Sequence, residues 1–307
     1  MKTSGAVSTI IASALMLATG FTSVACSQDW QALNPSGVQE YSFNAISGAA
    51  DGALYAVGSG GIIWHLQNNS WVLMPSGTTV NLNGVWCSPE GIVYAVGNGG
   101  IILRMKDGSW AAMPSGTTAN LMAIYGSLDG GVFIVGNGGT ILRLQAGNWA
   151  PMQSGSSANL SAVWGCACTG LYAVGNGGTI LRMKSGRWAA MQSGTTANLK
   201  GVWGTADTGI FAVGNGGTIL RLQGKTWSPM FIGPVTNLCA IWSSADAGTF
   251  AVGEGGTILS LQGDKWIAMN TGTTATINAV WGGPEGSVFA AGNKAFILRL
   301  TEAKPLN

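Results

Sequence analysis

Short apolar runs separated by polar, glycine-rich turns recur along almost the whole chain. In one stretch the runs are Ala119–Gly126, Gly131–Gly136, Thr140–Gln145 and Trp149–Met152. Runs of this length bounded by turn signals predict a four-stranded antiparallel sheet. Asn137-Gly138, between the second and third runs, predicts a hairpin, because a type I′ turn needs positive φ at both central residues. The decapeptide AVGNGGTILR, at 173–182 and again at 212–221, therefore reads as strand, turn, strand. No helical periodicity runs through the unit.

The pattern has a fixed period. The Gly after the second run falls at 58, 97, 136, 175, 214, 253 and 292, every interval being 39. A Trp marks the fourth run at 30, 71, 110, 149, 188, 227 and 266, with the same spacing after a first step of 41. Seven such units predict an all-β, seven-bladed β-propeller with four antiparallel strands per blade. The chain enters at a fourth strand and leaves at a third, Phe296–Leu300. Trp30–Leu33 is therefore expected to complete the seventh blade and close the ring. The domain is read as residues 30–302, with 303–307 as a tail.

Composition narrows the function. Of 307 residues, 49 are Gly and only 8% are charged, with 14 bases against 12 acids. That balance gives no field for nucleic acid. A hydrophobic share of 47% argues against disorder. After residue 25 no apolar run approaches the ~18 residues needed to span a bilayer.

The N-terminus reads as an export signal over residues 1–25: one Lys, the apolar run Ala6–Phe21, then Ser23-Val24-Ala25. Cys26 follows, opening a short segment, 26–29. This resembles the lipobox of bacterial lipoproteins, with Ser23 where that family has Leu; the resemblance implies acylation of Cys26. Plain cleavage after Ala25 is the other reading. Ser27 resembles an outer-membrane sorting residue. The expected address is the periplasm, the outer membrane or the medium.

Units of the form W-x-x-M-x-S-G-T-T-x-N-L-x-x-V-W-G…F-A-V-G-N-G-G-T-I-L-R resemble bacterial propellers related to photosystem II stability/assembly factors and to BNR/Asp-box repeat proteins. An Asp-box turn survives partly at Lys106-Asp107-Gly108-Ser109-Trp110 and decays at Ala146-Gly147-Asn148-Trp149. The resemblance implies the fold and no particular activity.

A strict period turns each position into a ring. One ring is His65, Arg104, Arg143, Arg182, Arg221, Ser260 and Arg299. A second is Asp51, Glu90, Asp129, Cys168, Asp207, Asp246 and Glu285. Both are expected at one face, as structural ion pairs with each Arg stem covering a Trp, or else as a binding ring. A third, Ser47, Trp86, Tyr125, Trp164, Trp203, Trp242 and Trp281, is expected between blades, or else as a sugar-stacking platform. A fourth ring varies while its neighbours barely change: Asn44, Asn83, Met122, Ser161, Lys200, Cys239 and Asn278. It should stand at the channel mouth, either merely solvated or as a tuned contact site.

Cys166 and Cys168 are close enough for a local bridge or remain free thiols; no metal site and no cofactor is expected. The near-uniform rings do not resemble one asymmetric active site. The predicted function is a non-enzymatic binding or assembly scaffold of the cell envelope, acting as a monomer on an envelope protein or a neutral polysaccharide, with the membrane touched only through a lipid anchor. A lectin with repeated sites is the alternative, and a glycan-processing enzyme the weaker one.

Overall fold

The computed structural model describes residues 29–33, 40–49, 52–67, 70–127, 131–166, 169–230, 236–283 and 286–301. They form seven four-stranded antiparallel sheets, the blades of a propeller. Blades are numbered from blade 1, residues 43–74. Blade 3 runs outward from the channel as Leu121–Gly126, Val132–Gly136, Ile141–Gln145 and Asn148–Pro151, close to the predicted runs. Blade 7 takes Ile277–Gly282, Val288–Gly292 and Phe296–Thr301 from one end of the chain and Asp29–Ala32 from the other. Trp30 pairs with Leu300, and Leu33 N donates to Ile297 O at 2.8 Å. The clasp predicted from the Trp register is present, beginning one residue earlier.

The second strands are buried almost throughout, and at every position in Leu54–Gly58 and Val93–Gly97. Each blade is packed on both faces, so the strand is a continuous apolar run and not an alternating one. Val57 and Ile63 face blade 2, whereas Ala56 and Trp64 face blade 7. The core is thus divided into seven seams between neighbouring blades.

One aromatic unit repeats in these seams. Phe133 of blade 3 meets Trp188 of blade 4 edge-on, at 6.4 Å and 89°. Tyr172 meets Trp227 at 6.1 Å and 89°, and Phe211 meets Trp266 at 5.9 Å and 83°. Phe250 of blade 6 meets Trp30 at 6.1 Å and 88°. The N-terminal strand therefore supplies blade 7 with the same seam Trp that every other blade draws from its own outer strand.

The Asn-Gly turn differs from expectation. Asn137 stays out of the left-handed region; positive φ falls on Gly138 (φ 64°, ψ 27°) and Gly139 (φ 72°). A Cβ on Gly139 would collide with the Ser156 carbonyl oxygen, so close approach of the next loop fixes glycine there. The two-residue hairpin with positive φ at both central residues lies one connection later, at Asp107-Gly108, Ala146-Gly147 and Ser185-Gly186.

The seam between blades 7 and 1 is keyed. In the other six seams a second-strand Val faces a third-strand Leu, as Val57 faces Leu103 and Val252 faces Leu298. Here Ala291 faces Trp64. Trp64→Leu should leave a cavity costing about 2 kcal/mol, and Ala291→Val should overpack the seam by about 1–3 kcal/mol. The double variant restores the common Val–Leu pair and is expected to be more stable than the sum of the single changes. Denaturant midpoints of the four proteins check this; strict additivity would mean the two residues do not share the seam.

Candidate functional site

At one end of the channel every inner strand carries an extra residue. In blade 3, Leu121 pairs with Gly136 and Ala123 with Val135, so Met122 is left out of the ladder. The same register shift falls at Asn44, Asn83, Ser161, Lys200, Cys239 and Asn278. Such a bulge frees a side chain from cross-strand packing and re-aims it. These seven are the variable ring, and all of them line one cavity of about 580 Å³.

Two tiers lie beneath the rim. First come Ala and Gly, such as Ala45, Gly84 and Ala162; then Val and Ile, such as Ile46, Val163 and Val202. Trp203, the next residue along the blade 5 inner strand, also lines the cavity. Its ring stands 5.9 Å from both Tyr125 and Trp164, and its Nε1–H donates to Ser243 O at 2.9 Å. Tyr125 and Trp203 belong to blades 3 and 5, so they meet across the front of blade 4.

The rim divides into sectors. Asn278 Nδ2 donates to Phe43 O at 2.8 Å, Asn44 Nδ2 to Leu82 O at 2.9 Å, and Asn83 Nδ2 to Leu121 O at 2.9 Å. These Asn side chains tie blades 7, 1, 2 and 3 together, including the closing seam. Met122 and Ser161 give blades 3 and 4 a neutral sector. Blades 5 and 6 are different: Lys200 is exposed, Cys239 is a half-buried free thiol, and Glu254 replaces the Asn of the other NGG turns. Glu254 Oε1 accepts a hydrogen bond from Asn237 Nδ2 at 3.0 Å. Glu254 escaped the sequence reading, although it is visible there as the one EGG among NGG turns.

The Asn before the inner strands of blades 2 to 6 also has an unforeseen role. Asn120 Oδ1 accepts from Gly99 N at 3.0 Å and Asn159 Oδ1 from Gly138 N at 2.9 Å, each capping the preceding blade's turn. The Ser-Gly-Thr-Thr loops use their hydroxyls internally: Ser115 Oγ donates to Thr117 O at 3.0 Å.

The Arg ring does not pair with the acid ring among the described residues. Arg104, Arg143, Arg182, Arg221 and Arg299 stack on Tyr94, Phe133, Tyr172, Phe211 and Phe289, at 5.5 to 5.9 Å from the ring centroids. Each Arg lies directly opposite its aromatic residue in the ladder, as Tyr94 does to Arg104. Glu90, Asp207 and Asp246 sit beyond the strand ends, exposed to water. The Arg stems thus cover second-strand aromatics, not Trp. Arg221 pairs with Asp264 at 2.9 Å, an acid outside the predicted ring. His65 stacks on Tyr55 at 4.3 Å and 4°. Asp51, Asp129, Cys168, Glu285 and Cys26 lie outside the described residues.

Apart from Tyr125 and Trp203, which meet in front of blade 4, the inner aromatic ring packs between blades. Trp164 and Trp242 are 3% and 5% exposed. A Cβ on Gly126, Gly282 or Gly48 would collide with Trp86, Trp242 or Trp281 of the preceding blade. Ser47, the one small member, faces Cys87, which stands where blades 1, 3 and 7 have Gly48, Gly126 and Gly282: Cys87 N donates to Ser47 Oγ at 3.3 Å. Cys166 is disulfide-bonded and Cys87 is a buried free thiol.

No protein-family model and no curated protein matches the chain. Solved structures do match in fold. A streptogramin B lyase superposes with a TM-score of 0.79 at 18% identity, covering 89% of this chain and 97% of the lyase. YCF48 bound to a D1 peptide gives 0.71 at 16%, covering 91% and 97%. The WD40 β-propeller domain of Doa1 gives 0.76 at 12%, covering 90% and 98%.

The charged sector has a chemical signature. Burial pushes the Cys239 thiol above its usual range, the Glu254 charge adds to the rise, and Lys200 opposes it. Glu254→Gln should therefore speed alkylation of Cys239 by iodoacetamide at pH 8, and Lys200→Gln should slow it. Timed mass spectrometry on Cys239, with buried Cys87 as the protected reference, checks both signs.

Proposed function

We propose that this protein is an exported, non-enzymatic scaffold of the bacterial cell envelope. In this reading Cys26 carries a lipid, and one partner protein binds at the channel mouth. One observation carries the proposal: at the mouth the bulge residues are Asn in three blades and Met, Ser, Lys and Cys in the other four, above tiers that barely change. That arrangement makes one asymmetric site per chain. The lectin alternative needs equivalent sites, but the repeated hydroxyls cap their own loops and the repeated Trp side chains fill the seams. A glycan-processing enzyme of the common kind works with two facing carboxylates, and Glu254 is the one carboxylate that lines the mouth. The fold by itself does not choose, since a lyase, a peptide-bound YCF48 and a WD40 domain share it.

A photo-crosslinking amino acid at Met122 or Ser161, activated in intact envelopes, is expected to trap one discrete protein. The same probe at exposed Lys106, at the opposite face, should trap none. Saturable binding of an envelope polysaccharide at several sites per chain would replace this reading with the lectin. For the anchor, palmitate labelling is expected in the wild type and lost in Cys26→Ser; equal labelling of both would remove the lipid from the proposal.

A further inference from the structure

The cavity changes character with depth. Its rim is polar, its wall is aliphatic through two tiers, and Trp203 is the one aromatic residue that lines it. The side chains of that wall offer no hydrogen bond to a guest. A sugar or an extended polar peptide would leave its own polar groups unpaired there, at a cost that disfavours entry. An apolar tail under a single polar head meets both zones.

The rim selects the head. Lys200 lines the cavity, is exposed, and has no carboxylate partner among the described residues. Glu254 already holds the Asn237 carboxamide and is fixed to the rim on the neighbouring blade. The other bulge residues are neutral, and three of them are committed to interblade carbonyls. The mouth therefore carries one ammonium, Lys200 on blade 5, and one carboxylate, Glu254 on blade 6, whose Oε1 is engaged by Asn237; the ammonium is the group that can take an anionic head. An ammonium in that position forms a charge-assisted hydrogen bond with a carboxylate.

We propose that the channel mouth is a binding site for a small amphipathic carboxylate of the aliphatic-acid class. Its tail lies against Val202, Ile241 and Trp203, and its carboxylate rests on Lys200 Nζ. A cavity of about 580 Å³ falls within the range of small-molecule sites. The inference goes beyond the partner reading and stands without it.

Titration calorimetry with decanoate, decanol and decyltrimethylammonium tests the site, with the part of the tryptophan fluorescence change that Trp203→Phe abolishes reporting on Trp203. Decanoate is expected to bind one per chain, and the neutral and cationic analogues at least ten-fold more weakly. Lys200→Gln should bring decanoate down to the affinity of decanol. Ser161→Trp, at a position outside the ladder, should block both ligands while leaving the thermal midpoint unchanged. Multi-site partitioning of all three probes, equal binding of decanol, or decanoate binding unaffected by Lys200→Gln would each overturn the proposal. A decapeptide with a free apolar carboxyl terminus that binds ten-fold tighter than decanoate, and loses binding on amidation, would transfer the site to a chain end and also overturn it. Decanoate binding without a crosslink from Met122 would refute only the partner reading; a crosslink without decanoate binding would refute only this one.

Discussion

A sheet that is apolar on both faces cannot be buried by its own strands; only two neighbouring sheets can do it. Everything else in this protein follows from that constraint. Most blades present Val and Ile to one neighbour and Ala and Leu to the other, and the second strand between them is almost wholly buried. The aromatic side chain of that strand receives the Trp of the next blade on its edge and, in most blades, an Arg of its own blade on its face. Edge-to-face pairs contribute about 0.5–1.5 kcal/mol beyond their buried area, and an Arg over a ring about 0.5–1 kcal/mol where exposed. These are small terms, but they repeat around the ring. An open arc of blades would leave two such faces in water, so stability depends on closure. The N-terminal strand and the Trp64–Ala291 pair both act at blade 7.

Repetition and specificity are separated in space by the bulge. A residue in the ladder must suit its cross-strand partner and its seam, so it recurs in every blade. The bulge residue has neither obligation. In blades 7, 1 and 2 the freed position is Asn and joins neighbouring blades; in blades 3 to 6 it is Met, Ser, Lys and Cys. The same fold thus yields a rigid wall and a rim whose chemistry differs from blade to blade.

The period, the number of blades and the clasp were legible because spacing alone carries them: the Gly and Trp registers required a seventh outer strand from the N-terminus. The position of the variable ring at the channel mouth was legible for a related reason, since variation amid uniform neighbours marks a residue that packing does not dictate. The bulge itself has no residue signature and could be seen only in the register. The Arg partners were misjudged because charge suggested the turn acids, whereas the ladder places each Arg opposite an aromatic residue. Asn-Gly suggested a type I′ turn centred on Asn; the collision a Cβ would make at the second Gly moved the turn by one residue. Trp203 could not be told from five other aromatics of its ring, because only the three-dimensional meeting with Tyr125 across blade 4 sets it apart.

The clasp also decides which way up the molecule would stand. Strand Phe296–Thr301 starts beside the mouth, where Asn278 bonds Asn293, and ends at the opposite face. Asp29 pairs with Thr301, so the N-terminal strand begins at that opposite face. Only two residues separate Cys26 from Asp29, a span of about 10 Å at full extension. A lipid on Cys26 would therefore seat the propeller with its back to the bilayer and its mouth turned to the aqueous compartment, like a cup standing on a table.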